Sequence, residues 1–520
     1  MGAAAPDAEE ARLRFWTSIG LILVLSAVGL TYEIAAGRVL APFFGTSLVT
    51  WTAVIATVLA GFALGNALGG LVAERERRAA LGHVRAALVA TAALAALSPT
   101  VLGLVYAAGA RGTGGMLLAV LLAFFPASVL VSLPSPLLAK LAVEARPGRE
   151  GSSLGLVLAA GSLGAIAGAI LAGFVALPLL GSAATFAGCG AAAILCAALV
   201  RGGPAGGPGD SAAGGADEGG AAKGRAEARE PPRPLWPAAL VVAASLLPGP
   251  VCRYESGQSC IDVARVGGAV HLQADRVQQA AERVGPDGEA GASGGLVLPY
   301  TRWLWARIDR DLGPAPEVLF IGGGGYTLPT KLLASRPAAR AVAVEIDPLV
   351  TRVVRAHLPW AGATLEREGF DAARDGPPGA AARGRLGVAH ADGRVFLNET
   401  ERRFDAAVVD AFSSGSVPAH LATRETYERL RAVVDGPVYV NLIDRPGGPL
   451  ARGVHAILRG LYPHVEAAQG PLGPRGRANV VLAASPTPLA PLGAPPAGYE
   501  PTRIPPGRAF TDDRGWVGHR

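Results

Sequence analysis

The chain of 520 residues is 50% apolar, 17% charged and 6% aromatic, with a mean hydropathy of +0.36, which excludes a disordered chain and argues against a wholly soluble one. Its 47 Lys plus Arg against 41 Asp plus Glu leave a net charge of +6 with no basic block interleaved with aromatics, so no nucleic-acid partner is expected. The four cysteines form neither a disulfide framework nor a CxxC site. Cys189 and Cys196 sit in an apolar run, Cys252 and Cys260 have no histidine near them, and no metal is expected.

Six apolar runs come first in chain order, at 15–36, 48–73, 84–107, 115–143, 154–177 and 181–200. Each is long enough to cross roughly 30 Å of hydrocarbon as a helix. They predict a transmembrane domain over 1–200, a multi-pass place in the cell membrane with lipid as a partner, and a first helix that is not a removable signal. Gly61, Gly65 and Gly69, and likewise Gly164 and Gly168, recur at four-residue spacing, which lets helix backbones approach closely in lipid. In so Gly-rich a chain the same spacing also arises from composition alone. Glu33 and Lys140, the latter in a helix broken by Pro126, Pro134 and Pro136, mark either a polar cavity or interfacial snorkelling.

The loop from Glu74 to Arg85 carries Arg75, Arg77, Arg78 and Arg85, which places it and the N-terminus in the cytoplasm. Residues 201–234, rich in Gly, Ala and Pro, read as a linker. The apolar stretch 235–251 is short and contains Pro237, Pro248 and Pro250, and it decides the topology. If it spans as a seventh segment, the remainder lies outside the cytoplasm; if it does not, the remainder stays inside.

From residue 318 short apolar runs alternate with helical segments, at Val318–Gly322, Ala341–Asp347, Leu386–Asp392, Asp405–Phe412, Pro437–Ile443 and Asn479–Ala484. Such near-continuous apolar strands predict a parallel, doubly wound, Rossmann-like α/β sheet of the methyltransferase type. The first strand runs into Gly322, Gly323, Gly324 and Gly325, a loop that lets a ligand approach the backbone. Thr327 stands where a dinucleotide motif needs glycine, so NAD is disfavoured and a mononucleoside fits better. Glu345 at the second strand end is placed for ribose hydroxyls, Asp392 with Gly393 at the third for an adenine amino group, and Asp410 closes the fourth.

The runs VLFIGGGGYTLPTKLL, AVAVEIDPLV, VAHADGRVFL and FDAAVVDAFSSGSVPAHLATRETYERL together resemble the spermidine synthase (polyamine aminopropyltransferase) family. The runs YEIAAGRVLAPFFGTSL and LGAIAGAILAGFVALPLLG look like its multi-pass membrane form. The resemblance implies that Gly322 to Gly325 contact decarboxylated S-adenosylmethionine as co-substrate, that Glu345 holds its ribose and Asp392 with Gly393 its adenine, and that Asp410 is the catalytic acceptor. It implies that Tyr300, Ser413 and Pro418 border a polyamine acceptor, and that a small N-terminal β-domain at 252–312 precedes the Rossmann-like domain at 313–490 and a tail at 491–520. Such a donor favours a cytoplasmic site. A homodimer is left open.

The departures bear on substrate. Gly325 and Tyr326 stand where the family's GGGDG motif has an acid, Ser413 replaces a second acid, and Ser259, with Gln258 adjacent, takes the place of an upstream Gln. Nucleoside binding is thus better supported than putrescine binding. Two rival readings are an S-adenosylmethionine-dependent methyltransferase and a catalytically silent membrane sensor or transporter of polyamines or nucleosides.

Overall fold

Long stretches without charge satisfy their backbone polar groups in lipid as helices, and the described residues of the N-terminal region are mainly helical. The computed structural model describes residues 8–44, 48–200, 234–249, 251–285, 295–372, 384–411, 418–473, 476–493, 496 and 498–514. It divides into two compact units, Met1–Leu40 with Val49–Val251, and Ala41–Leu48 with Cys252–Arg520.

The first unit contains α1 (Ala8–Phe44), α2 (Leu48–Ala73), α3 (Arg77–Ala107), α4 (Gly112–Ser132), α5 (Pro134–Glu144), α6 (Glu150–Ile170), α7 (Leu177–Leu199) and α8 (Trp236–Ala244), with a π turn at Leu171–Ala176. Five stretches among the described residues are long and apolar enough to cross a membrane. The last runs 50 residues from Glu150 to Leu199 and merges two of the expected runs. Its backbone breaks at Gly181, where φ is 77° and ψ 174°. On one side of the break, Gly164 meets Leu23 and Gly168 meets Ala27 of α1. On the other, Cys189 meets the Val28 carbonyl and Phe186 meets Tyr32. The first pair of contacts ascends α1 and the second descends it, so the two limbs are antiparallel.

The four-residue glycine spacing is a packing face. A Cβ at Gly65 would stand 2.0 Å from the Val129 carbonyl oxygen, and one at Gly69 2.2 Å from that of Leu133. Gly164 and Gly168 meet Leu23 and Ala27 carbonyls at 2.1 and 2.2 Å in the same way. Only glycine admits these approaches. Tyr32 ties the helices at mid-length, its hydroxyl 2.7 Å from Ser98 Oγ and 3.3 Å from the Ala123 carbonyl. Lys140 donates to the Ala73 carbonyl at 2.8 Å near the arginine-bearing turn, as snorkelling requires.

In the second unit an antiparallel sheet of β1 (Tyr254–Glu255), β2 (Cys260–Val266), β3 (Ala269–Ala274) and β4 (Val277–Arg283) leads to α9 (Pro299–Asp311). There follow β5 (Glu317–Ile321), α10 (Thr327–Ser335), β6 (Arg340–Val344), α11 (Pro348–His357), α12 (Pro359–Glu368), β7 (Gly369–Asp371), β8 (Leu386–Ala389), α13 (Gly393–Glu399) and β9 (Ala406–Val409). Then come α14 (Arg424–Val433), β10 (Val438–Asp444), α15 (Pro449–Leu461), β11 (His464–Gln469), β12 (Ala478–Ser485) and β13 (Glu500–Pro501). The large sheet runs β13-β11-β12-β10-β9-β5-β6-β8-β7, parallel from β10 to β7 and antiparallel at β12, β11 and β13.

Side chains of β5 alternate between two cores, with Val318 and Phe320 on one face and Leu319 and Ile321 on the other. Ile261, Val270, Leu272 and Ala280 of the small sheet belong to the first of these cores. The reading of the cysteines needs a correction: Cys252 and Cys260 are joined in a disulfide, with Cα atoms 5.6 Å apart. Antiparallel pairing of Glu255 with Cys260 folds the chain back so that residues eight apart become neighbours, which spacing alone did not reveal.

Candidate active site

The register aligns the strand ends. Ile321 pairs with Val344 and with Val409, Val344 with Ala389, and Val409 with Val440. Gly322, Glu345, His390 and Asp410, each one residue further on, therefore leave the sheet at one level, and Asn441 stands at that level inside β10. Strand order reverses at β5, where β6 lies on one side and β9 on the other, and such a switch point opens a crevice at the carboxyl ends of the strands. A cavity of about 380 Å³ lies there, lined by Gly322, Gly324, Glu345, Asp392, Gly393, Asp410 and Pro418 among others.

The glycine loop divides by role. Gly322 has φ +98°, and a Cβ on it would stand 2.2 Å from the Asp410 carbonyl oxygen. Gly324, at φ +48°, lines the cavity. Gly323 lies under it, against Glu345 and Tyr326. Gly325 turns to the small sheet, where its Cβ would meet that of Ala280 at 2.1 Å, so an acidic side chain has no room there. Tyr326 points inward, its hydroxyl 2.7 Å from Thr351 Oγ1.

Glu345 is buried and ties the loop to the next turn. Its Oε2 accepts from Gly324 N at 3.0 Å and its Oε1 from Asp347 N at 3.0 Å. Burial pushes its carboxyl up to about 7, against the hydrogen bonds from those amides. Asp347, two residues beyond Glu345, is a site residue that the strand-end pattern does not single out; it caps α11 through Leu349 N at 2.9 Å and accepts from Ser256 and Ser259. Ser259 and Gln258 thereby reach the cavity wall, and Ile346 adds an apolar lining face between the two acids.

Asp392 caps α13 through Arg394 N at 2.8 Å, and its other oxygen lies 2.9 Å from His420 Nε2. Burial raises its carboxyl, but His420 and the capping amides together hold it below the usual carboxylate range. Gly393 is required by packing, since its Cβ would stand 2.6 Å from the Ile321 side chain. Asp410 is half-buried, and its withdrawal from water pushes its carboxyl above the usual range against hydrogen bonds from Asn441 and Tyr300. Asn441 Nδ2 donates to Asp410 Oδ1 at 2.8 Å and Asn479 Nδ2 donates to Asn441 Oδ1 at 2.9 Å, a chain across three strands. Tyr300 therefore sits beside Asp410, and its hydroxyl also reaches the Gln279 carbonyl at 3.5 Å. Ser413 lies outside the described residues. Among the described residues no cluster of His, Cys, Asp or Glu could hold a metal ion.

The sheet and cavity define a doubly wound domain with the carboxylates of Glu345, Asp392 and Asp410 around one cavity. No family model matches the chain. The polyamine aminopropyltransferase of Vibrio vulnificus is 28% identical over 134 residues, 25% of this chain and 38% of that protein. That of a Ruegeria species is 33% identical over 99 residues, 19% of this chain and 30% of that protein. The chain thus spans less than two fifths of the length of these curated relatives. A probable spermidine synthase from Corynebacterium glutamicum aligns structurally with 19% identity and a TM-score of 0.38, covering 48% of this chain and 91% of that one. The curated relatives carry the family name that the motifs suggest, and this chain adds to that likeness a region of apolar helices.

Proposed function

We propose that the chain is a membrane-bound aminopropyltransferase, moving an aminopropyl group from decarboxylated S-adenosylmethionine to an amine acceptor and releasing methylthioadenosine. The observation that carries the reading is the meeting of Gly322, Gly324, Glu345, Asp392 and Asp410 around one cavity at the switch point. In this reading Glu345 accepts from the ribose hydroxyls, Ile346 offers the adenine an apolar face, and Asp392 accepts from its amino group. The acceptor arrives largely as an ammonium, since alkylamines have pKa values near 10. Asp410 attracts it and takes one proton; the freed lone pair bonds to the aminopropyl carbon while the carbon–sulfur bond breaks toward sulfur. Asn441 and Tyr300 hold the carboxylate for that transfer. Alignment of the two reactants supplies about 7 to 11 kcal/mol of the acceleration.

The acceptor is a polyamine without strong putrescine selectivity, because Gly325 faces Ala280 and no acid stands there. In the membrane half, α1 to α7 make six crossings. The test is product analysis of the purified full-length chain with decarboxylated and carboxylated donors against a panel of amines. Methylthioadenosine supports this reading, S-adenosylhomocysteine transfers it to a methyltransferase, and binding without release of either leaves a sensor or transporter.

A further inference from the structure

We infer that the cavity-bearing region Cys252–Arg520 faces an oxidising compartment outside the cytoplasm, reached by a seventh crossing through Leu235–Val251. The inference does not depend on which reaction the cavity performs. Three observations carry it, the first alone and the second and third jointly.

The first is the Cys252–Cys260 disulfide. Cytoplasmic thiols are kept reduced, whereas such bridges persist in secreted and periplasmic settings. Both cysteines are buried, at 5% and 3% exposure, and they close the hairpin that delivers Gln258 and Ser259 to the cavity wall. The same hairpin sets Ser256 and Ser259 on Asp347. The bridge therefore belongs to the architecture of the site.

The second is the path of the chain. Following α1 to α7 back and forth, Leu199 ends at the face of the arginine-bearing turn between α2 and α3. The linker rejoins at Trp236, which is 64% exposed, as an aromatic at a membrane interface is. From there α8 runs inward until Val242 packs on Gly190 and Ala92, near the middle of their helices. The chain then continues in turns: the N–H groups of Ser245, Leu246 and Leu247 donate to Val241, Ala243 and Ala244, and that of Gly249 to Leu246. Pro248 has no N–H to satisfy. The prolines thus leave no orphaned amide among these residues, which removes the main objection to a span. Helix and turns together advance about 24 Å, most of the roughly 30 Å needed.

The third is charge. At the linker face Arg75 lies between α2 and α3, Arg77 and Arg78 open α3, and Arg146 and Arg149 lie between α5 and α6. The opposite turns carry only Arg111 between α3 and α4 and no basic residue near Gly181 or at 45–47. The positive-inside rule puts the linker face in the cytoplasm, so one further crossing carries the cavity out of it. An adenosyl ligand then arrives from the outer side or is handed across the bilayer.

The experiment uses the full-length chain in spheroplasts with a membrane-impermeant maleimide. Leu472→Cys and Val266→Cys, both at exposed positions, should label in intact spheroplasts, while Gly220→Cys in the linker should label only after permeabilisation. In the wild-type chain, alkylation of denatured protein should modify Cys252 and Cys260 only after reduction, a mass shift of two adducts. The inference is overturned if Leu472→Cys and Val266→Cys both stay silent until permeabilisation, or if Cys252 and Cys260 alkylate fully without reductant. Two exposed positions guard against one variant that does not fold, and no readout depends on catalysis, so failure here leaves the proposed transfer reaction standing.

Discussion

Glu345 serves the empty protein and its ligand in opposite ways. Because burial pushes it up to about 7 from an unfolded value near 4.3, its contribution to the stability of the ligand-free fold is fullest below pH ~4 and is lost as pH rises toward 7. Ribose binding needs the carboxylate, so nucleoside affinity should instead fall as pH drops from 8 to 6; calorimetry at each pH reads the first sign against the second from thermal melts. Glu345→Gln should abolish both trends and weaken the nucleoside about a hundredfold, roughly 3 kcal/mol. An unchanged affinity in that variant removes the ribose assignment. Asp410→Asn keeps the shape but not the proton acceptor, so turnover should drop by about 10² to 10⁴ with nucleoside affinity within a fewfold, read by product release and titration. Both acids were legible because they end apolar strands. Asn441, Asn479 and His420 were not, since an amide or imidazole acquires its partner only when the register of neighbouring strands is known.

At the scale of elements, the contact of the glycine loop with β4 makes a departure from the family motif structural. Gly325→Asp should not restore an acidic grip on the acceptor; it should instead force β4 away from α10 and lower stability by about 1 to 3 kcal/mol. Ala280→Gly in the same chain should recover part of that loss in a thermal melt, whereas full stability in Gly325→Asp alone would show that the sheet yields freely. The parallel strands were readable because Leu319, Val342 and their neighbours are apolar on both faces. β11, with the sequence HVEAAQ, and the two-residue β13 lie toward one edge and carry no such run, so only pairing, of β11 with β12 and of β13 with β11, defines them. The glycine spacing in α2 and α6 was visible but ambiguous in a chain with 70 glycines. Contacts of 2.0 to 2.2 Å from the added Cβ to carbonyls resolve it, and Gly168→Leu should therefore reduce the amount of folded protein recovered in detergent far more than Gly173→Leu, where the space is open.

For the whole molecule, the first unit displays Leu59, Leu158, Phe174 and Leu179 at more than half exposure, surface that water does not tolerate in such density. The chain should stay in the pellet after an alkaline carbonate wash, and its release would remove the membrane reading. The length of the helices carries a further consequence. The stretch Ala11–Phe44 has 34 residues, about 51 Å of α-helix against a hydrocarbon layer of about 30 Å. Tilt alone cannot absorb the difference, because it would require more than about 50° where roughly 40° is the usual ceiling. Even at that ceiling about 12 Å of α1 must emerge beyond the acyl chains, and about 21 Å if it stands upright, so bilayer thickness becomes a variable that sets how far this helix projects. Reconstitution into lipids of increasing chain length should progressively shield cysteines placed along α1 from aqueous reagents, starting nearest the interface.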